Sequence, residues 1–340
     1  MNDLILNNNL TQIFSSDEYE LLNTNKSPAI PNYSYESCKT ALKIISLNDE
    51  YKVFVDDNET ELIKQVFSKN ADDDTLVVIS YKEHPSVDMC AYCCKNLLVL
   101  DENDIDTLNV DKIIKTYNEL KLKKIFVAII GTSFCYGCWI PDTFFIKIRE
   151  KTKDIPCRIM IDDAQSLFAI KRCYKIFDYI LSTGHVLIKN FDMGILITNH
   201  TEEDYGKDAY NWMEEYLQRL DIVIPKLKMY NFEFNTRMKD LFSIILSTGK
   251  VTVMQTVPHV FCLKVNEKCN FTEEEIELLD KKYHMYVFDQ NISEGFTIRI
   301  RVADVLQSNN FKDGVIYLMN LLYKKYPELN YNDTLELENG

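Results

Sequence analysis

Short apolar runs alternate with amphipathic stretches through the first two hundred residues of the chain. Apolar runs bounded by polar turns are typical of buried strands, and apolar residues that recur every three or four positions are typical of helices. This alternation predicts an α/β domain with a mostly parallel sheet covered on both faces by helices. The predicted strands are 52–55, 75–80, 96–100, 124–130, 159–161, 179–181 and 193–198, and the predicted helices are 34–47, 62–67, 111–120 and 143–151.

The pattern changes after residue 200. Residues 203–250 are predicted to be helical and to contain the connection between two domains, with Pro225 breaking the helix. A smaller α+β domain is then predicted from strands at 260–265 and 296–302 and helices at 272–283 and 311–326. We expect an N-terminal arm over 1–35, a large α/β domain over 36–225 and a small C-terminal α+β domain over 226–340.

Composition and net charge indicate an ordinary globular protein and argue against two kinds of binding partner. The chain has 340 residues, 46% of them hydrophobic and 26% charged, as in ordinary globular proteins. The net charge of −14 argues against binding to nucleic acid or to an anionic membrane surface, because both rest on positive charge. Residues 1–5 contain neither a basic segment nor a long apolar run, so we expect no signal peptide, a cytoplasmic protein and mostly reduced cysteines.

Polar side chains follow two of the predicted strands. Asp162 and Gln165 come at the end of one, and Thr183 and His185 come at the end of the next. Because the carboxyl ends of parallel strands meet at one edge of a sheet, these residues predict a ligand site.

The residues at these two strand ends resemble the class V aminotransferase and cysteine desulfurase branch of the fold-type I enzymes that use pyridoxal phosphate (PLP). That branch carries Asp-x-Ala-Gln at the first strand end and Ser-Gly-His-Lys at the second. The resemblance implies a seven-stranded-type sheet in the large domain and a PLP site. Asp162 would hold the ring nitrogen, Gln165 would face the ring hydroxyl, and Thr183 and His185 would contact the phosphate.

Other residues match the same family in the same order along the chain. His84, in Glu-His-x-Ser, would stack on the ring, although a histidine before Pro85 is also typical of a helix start. Ser133 and Thr60 match further cofactor-binding positions. Arg301, with Arg299 two residues before it, matches the position that binds a substrate carboxylate. A charge pair on an edge strand is the alternative for these two arginines.

Three departures from the family pattern affect the chemistry. Val186 occupies the position of the lysine that forms the Schiff base, and it can neither tether PLP nor carry a proton. Asp56 and Asp57 replace the small residues of the phosphate turn and would repel a phosphate. Phe134 replaces an asparagine that contacts cofactor or substrate.

Two residues are candidates to replace the missing lysine. Lys189 lies three residues beyond Val186, but the match without gaps as far as Gly194 places it outside the motif, and a lysine here is commonly a solvated loop residue. His185 has a side chain that titrates near neutral pH and is the candidate proton carrier.

Two functions are consistent with this pattern. The first is a divergent enzyme that holds PLP or pyridoxamine phosphate without a covalent bond and acts on a small molecule bearing an amine or a carboxylate. The second is a cofactor-free, inactive relative that acts as a binding partner or regulatory subunit. By resemblance we expect a homodimer in either case.

The cysteines offer a third possibility. Cys90 with Cys93, and Cys135 with Cys138, each form a Cys-x-x-Cys pair. Such pairs hold zinc in some proteins and act as redox pairs in others. Against both uses, we expect the 90–94 stretch to begin a helix packed on the sheet, where a free cysteine behaves as a small apolar side chain.

Overall fold

A computed structural model of the chain divides into two compact units. The first contains the described residues up to Val223 and the second contains those from Ile224 onward. The structure describes residues 35–133, 139–188, 191–208, 211–247, 249, 251–254, 260–265, 271–289, 296–301 and 311–325.

The first unit is built from strands and helices that alternate as the sequence pattern predicts. Its strands are β1 (Lys52–Asp56), β2 (Thr75–Ser80), β3 (Leu97–Leu100), β4 (Lys124–Ile130), β5 (Cys157–Asp162), β6 (Tyr179–Thr183), β7 (Gly194–Thr198) and β8 (Lys207–Asp208). Its helices are α1 (Tyr35–Ile44), α2 (Glu59–Asn70), α3 (Pro85–Ala91), α4 (Glu102–Asp106), α5 (Asp111–Leu120) and α6 (Asp142–Lys151). Helix α7 (Asn211–Leu241) begins in this unit and ends in the other.

The eight strands form one sheet in the order β3-β2-β4-β5-β6-β7-β1-β8. Strands β3, β2, β4, β5 and β6 pair in parallel, while β7 is antiparallel to both β6 and β1. Every residue of β2 and β6 is buried, which explains why these strands are nearly continuous apolar runs rather than alternating ones. The predicted α/β class with a mostly parallel sheet is therefore confirmed.

The second unit contains a four-stranded antiparallel sheet. Its strand order is β11-β12-β10-β9. Strand β12 carries Arg299 and Arg301 and lies inside the sheet, between β11 and β10. The alternative prediction of a charge pair on an edge strand is therefore wrong. The strands are β9 (Val251–Val253), β10 (Val260–Val265), β11 (Met285–Asp289) and β12 (Phe296–Arg301), and the helices are α8 (Ser243–Ser247), α9 (Glu273–Glu277, continued by a π turn at Leu278–Lys282) and α10 (Phe311–Lys325).

Pro225 does not break the helix around it, contrary to the sequence-based prediction. It lies inside α7, and both Pro225 and Asp221, whose carbonyl loses its hydrogen-bond donor, are exposed. Water can therefore satisfy the carbonyl that the proline leaves without an amide partner. Within the described ranges, α7 included, no helix is long and apolar enough to cross a bilayer.

Candidate functional site

The site is centred on Asp162, the last residue of β5. Its side chain is only 1% exposed. One carboxylate oxygen accepts a hydrogen bond from the backbone N–H of Ala164 at 3.1 Å, and the Asp162 carbonyl accepts one from Gly131 at 2.7 Å. Asp162 is thus fixed at the carboxyl end of the central strand, where the sequence pattern placed it.

Glu59, the first residue of α2, meets Asp162 directly. Burial raises the pKa of Glu59 well above its usual range, and a hydrogen bond from the Glu59 carboxyl to Asp162 raises it further. Burial also raises the pKa of Asp162. Oxygen Oε1 of Glu59 is buried and has no hydrogen-bond partner among the described residues. The two side chains therefore form a carboxyl pair, and their burial and proximity favour the protonated form of Glu59.

His84 lies beside this pair and is also the N-cap residue of α3. Its Nδ1 accepts a hydrogen bond from the Ser86 backbone N–H at 3.3 Å and lies 2.5 Å from Ser86 Oγ, with Pro85 as the first helical residue. Its imidazole is close enough to Asp162 to counteract part of the rise in the pKa of that carboxyl. The structure brings His84 and Asp162 together, and it also gives His84 the helix-start role that was the alternative.

Asp163 is a structural residue. It is fully buried and accepts hydrogen bonds from Ser166 Oγ and the Tyr174 hydroxyl, each at 2.5 Å. Arg172 Nε lies 3.6 Å from the same carboxylate, and the Arg172 guanidinium also donates to Asp142 at 2.8 Å. This network compensates the charge of Asp163, so of the two neighbouring aspartates only Asp162 lacks an arginine partner.

A further buried carboxyl, Glu83, joins the ends of β2 and β4. It accepts hydrogen bonds from the backbone N–H groups of Ser80 at 3.0 Å and Ile130 at 2.8 Å, and from the Ser80 hydroxyl. Burial raises the pKa of Glu83 to about 8, and the nearby Asp162 adds to that rise. The same edge of the sheet therefore carries three buried carboxyls without an ion-pair partner among the described residues: Glu59, Glu83 and Asp162.

The segment after β6 carries Val186, at the position where the resemblance places a lysine. Val186 is 1% exposed, and Leu187 and Ile188 after it are also buried. Thr183 is buried, whereas His185 is exposed, with its Nδ1 2.8 Å from Thr183 Oγ1 and 3.7 Å from Asp192.

These positions affect the two candidate replacements differently. The exposed His185 turns towards Thr183 and the surface carboxylate of Asp192, a position that does not favour a role as proton carrier. Lys189 lies outside the described residues.

The turn that would hold a phosphate carries a side-chain cap and acidic residues. The Asn58 side chain caps α2 by accepting a hydrogen bond from the Glu61 backbone N–H at 3.0 Å. Thr60 is half-buried in the first helical turn, between the acidic residues Glu59 and Glu61. Acidic residues therefore occupy the first turn of the helix, which is where a phosphate would bind.

Gly194 allows this turn to approach the sheet closely. A Cβ at Gly194 would lie 2.5 Å from the Asn58 carbonyl oxygen and 2.6 Å from the Glu59 nitrogen. Only a glycine leaves room for this backbone contact, so the packing of the turn on β7 helps to fix Glu59 beside Asp162.

Ser133 and Gln165 follow β4 and β5, which are parallel neighbours. Both side chains are buried. The structure thus places them at the carboxyl ends of the strands, near Asp162, as expected. Binding of a cofactor by these two residues stays a prediction. Phe134 lies outside the described residues.

Arg299 and Arg301 lie in the second unit, on one face of β12. Both are buried, and their guanidinium groups lie 4.7 and 5.2 Å from the ring centre of Tyr286. Arg299 is also 5.0 Å from the ring of Phe288. Cation–π contacts of this kind stabilise a sheet without any ligand. Binding of a substrate carboxylate by these arginines stays a prediction.

The cysteines of the first pair lie at the end of α3, which stops at Ala91, so the expectation that 90–94 begins a helix is wrong. Cys90 and Cys93 are free thiols, and burial raises the pKa of Cys90. In the part of the chain that the structure describes, no cysteine belongs to a cluster of three metal-ligating side chains. Cys135 and Cys138 lie outside the described residues.

These observations test whether PLP fits the site. PLP needs a carboxylate free to pair with its ring nitrogen and an anion-binding turn for its phosphate. Asp162 is instead paired with Glu59, and the helix N-terminus is capped by Asn58 and flanked by carboxylates. The residues present do not fit PLP bound in the manner that the resemblance implies.

No protein-family model and no curated protein sequence matches the chain. Solved structures do match. A NifS-like protein from Rickettsia africae is 13% identical with a TM-score of 0.64, covering 92% of this chain and 88% of that one. Oryza sativa TDC with PLP and tryptamine is 12% identical with a TM-score of 0.64, covering 86% and 74%. Serine palmitoyltransferase from Sphingomonas wittichii is 12% identical with a TM-score of 0.60, covering 94% and 85%.

At these identities the likeness establishes the fold. That fold is the fold type I of PLP enzymes, as the sequence motifs predicted.

Proposed function

We propose that this chain is a cofactor-free relative of the fold-type I PLP enzymes, which acts as a binding partner or regulatory subunit. The carboxyl pair of Glu59 and Asp162 is the observation that carries the proposal. Asp162 is the residue that would pair with the ring nitrogen of PLP. In this chain Glu59 supplies its partner and removes the need for a pyridinium.

The surroundings of the pair support the same function. Val186 is buried where the family has its lysine, so no amine at this position can reach an aldehyde. Glu59 and Glu83 add buried carboxyls with raised pKa values near Asp162, so acidic groups rather than cationic side chains surround the position of the ring.

An enzyme with altered chemistry is the second candidate. His84 beside Asp162, with Gln165 on the same strand end, is the observation that favours it. In this case PLP or pyridoxamine phosphate would be held without a covalent bond, after Glu59 had turned away. The substrate would be a small molecule with an amine or a carboxylate, and Arg301 and Arg299 would be the residues for the carboxylate.

A homodimer in the cytoplasm belongs to both candidates. Its support is the sequence resemblance.

An absorbance titration of the purified protein with PLP, followed by borohydride reduction and peptide mapping, tests the proposal. A cofactor-free relative shows neither an imine band nor a labelled peptide. Binding without a covalent label would overturn the proposal in favour of the second candidate. A label on Lys189 would overturn it in favour of ordinary PLP chemistry.

A further inference from the structure

A cavity opens at the amino ends of the parallel strands, opposite to the ends that carry Asp162. It has a volume of about 500 Å³ and lies where β4 and β5 begin, against Asn70, Arg158 and His200. Arg158 and Asp162 are four residues apart on one strand, so this cavity is about 13 Å from the carboxyl pair at a rise of about 3.3 Å per residue. It is therefore separate from the site described above.

Arg158 presents part of its guanidinium without a protein partner. Its NH1 nitrogen donates to Asn70 Oδ1 at 2.9 Å, to the Tyr179 hydroxyl at 2.7 Å and to Glu203 Oε1 at 2.9 Å. Within the described residues, Nε and NH2 donate no hydrogen bond. The three contacts hold the guanidinium in place and leave one edge, with two donors side by side, available to a planar acceptor.

The two carboxylates of the cavity are already bound. Asp178 accepts from Arg149 NH2 at 2.5 Å and from the Ile159 N–H at 2.6 Å. Glu203 is bonded to Arg158 and to the Tyr205 hydroxyl. Their interactions with nearby donors lower the pKa values of both carboxyls despite burial. Neither carboxylate therefore needs a ligand cation to compensate it.

Two lysines and a histidine also line the cavity. Lys69 donates to the Asp204 carbonyl and lies 4.1 Å above the Tyr205 ring, and Lys124 pairs with Asp72 at 2.7 Å. His200 Nε2 is buried and lies 3.4 Å from Asp178 Oδ1, so this histidine faces a carboxylate of the protein.

Apolar side chains cover the remaining wall of the cavity. The lining includes Ile125, Phe126 and Pro156. The cavity therefore combines a surface for an apolar group with a fork of donors and nearby positive charges.

We propose that this cavity binds a small organic anion, with its carboxylate or phosphate held by the free edge of Arg158 and its apolar body against Phe126 and Pro156. An aromatic or short aliphatic acid or phosphate ester has the required size and chemistry. The proposal does not depend on the function assigned to the carboxyl pair.

Calorimetric titrations at constant ionic strength test this site. The probes are phenyl phosphate, phenylacetate, inorganic phosphate and the neutral benzyl alcohol. We expect phenyl phosphate or phenylacetate to bind more tightly than inorganic phosphate, and benzyl alcohol not to bind. Arg158→Gln should weaken binding about tenfold or more, because hydrogen bonds to a charged group are lost.

Further variants separate binding from folding. Lys69→Gln removes a nearby charge at an exposed position and should weaken binding less than Arg158→Gln. Arg158→Lys should keep the positive charge but lose the paired donors of the guanidinium. Lys64→Gln is the matched control, because this exposed lysine of the same helix α2 pairs with Glu61 and does not line the cavity. Each variant is checked for a native circular dichroism spectrum.

Two results would overturn the proposal. The first is that none of the three anions binds the wild-type protein. The second is that an anion binds with an affinity that neither Arg158→Gln nor Lys69→Gln changes. Binding of Zn²⁺ in place of the anions would assign the cavity edge to His200, Glu202 and Glu203, whose donor atoms lie within 4.8 Å of one another, and would also overturn it.

Discussion

At the scale of single residues, the pairing of Glu59 with Asp162 distinguishes this chain from the family that it resembles. Two carboxyls that share a hydrogen bond cannot both be ionised without strong repulsion, which together with burial raises the pKa of Glu59. The resemblance gave Asp162 a role towards a pyridine ring. In the structure the carboxyl of Glu59 lies against Asp162.

The substitution Glu59→Gln tests this pairing. The pKa values of Glu59 and Asp162 are raised in the folded protein, so the stability linked to them is present at low pH and lost as pH rises through the folded values. Glutamine can donate to Asp162 without titrating. We expect little effect on the free energy of unfolding at pH 5, and a gain on the order of 1 kcal/mol at pH 8, in urea denaturation.

Glu61→Gln is the control for that measurement. Glu61 is exposed in the same helical turn and pairs with Lys64, so Glu61→Gln removes a carboxylate from this turn without changing the contact between Glu59 and Asp162. A Glu59→Gln protein that is less stable than wild type at pH 8 would mean that Glu59 is an ionised partner rather than a proton donor.

At the scale of elements, hydrophobic patterning predicted most of the secondary structure. The strands Thr75–Ser80 and Lys124–Ile130 and the helix Asp111–Leu120 have the predicted bounds, because buried strands and amphipathic helices depend on local sequence. Pro225 was misjudged because water at an exposed carbonyl compensates for the lost hydrogen bond. Strands β9 and β11 were missed because Val251–Val253 is very short and Met285–Asp289 follows a helix directly.

The candidate site was predicted only in part, because sequence motifs do not show which distant residues meet in the fold. Asp162 and His84 were found because each follows a recognisable strand end and the order of the motifs is kept. Glu59 was missed because its partner is about a hundred residues away in the sequence. The acidic turn before it, which was noted as unfavourable for phosphate, was the available signal.

Gly194→Ala tests whether the turn before α2 holds Glu59 in place. The new Cβ would lie 2.5 Å from the Asn58 carbonyl, and backbone cannot yield as a flexible side chain does. We expect a loss of about 1–3 kcal/mol in the free energy of unfolding, as in other overpacked sites. The dependence of stability on pH should also change, because Glu59 moves with the turn.

Gly249→Ala provides the comparison. Its Cβ would meet no atom within 4 Å, and its φ of +72° alone should cost about 1 kcal/mol with no change in the pH profile. If Gly194→Ala had the stability and pH profile of wild type, the turn would not be held by this contact.

At the scale of the whole molecule, buried carboxyls give the protein an unusual dependence on pH. Glu83 has a pKa of about 8 in the folded protein and an ordinary pKa when unfolded, so the folded state binds more protons between these values. Stability should therefore fall as pH rises from about 5 to 8, by at most about 1.4 kcal/mol per pH unit for each such group. Carboxyls with lowered pKa values, such as Asp72 with a pKa of about 2, change the stability only at lower pH.

Glu83→Gln should flatten this decline. In Glu83→Gln an amide nitrogen, which cannot accept, replaces one of the two oxygens that accept hydrogen bonds from Ser80 and Ile130. The variant should therefore be less stable than wild type at pH 5. Urea denaturation at several pH values measures the free energy of unfolding at pH 5 and its slope between pH 5 and 8. A slope between pH 5 and 8 equal to that of the wild type would show that Glu83 is ionised throughout.

The most direct test of the central claim is the affinity for PLP of the wild-type protein and of Glu59→Ala, measured by equilibrium dialysis at pH 7 with Glu61→Ala as control. If Glu59 takes the place of the ring, the wild-type protein binds PLP weakly or not at all. Glu59→Ala then binds it at least about tenfold more tightly, a difference of about 1.4 kcal/mol, and Glu61→Ala behaves as wild type. Tight binding by the wild-type protein that Glu59→Ala leaves unchanged would contradict the account.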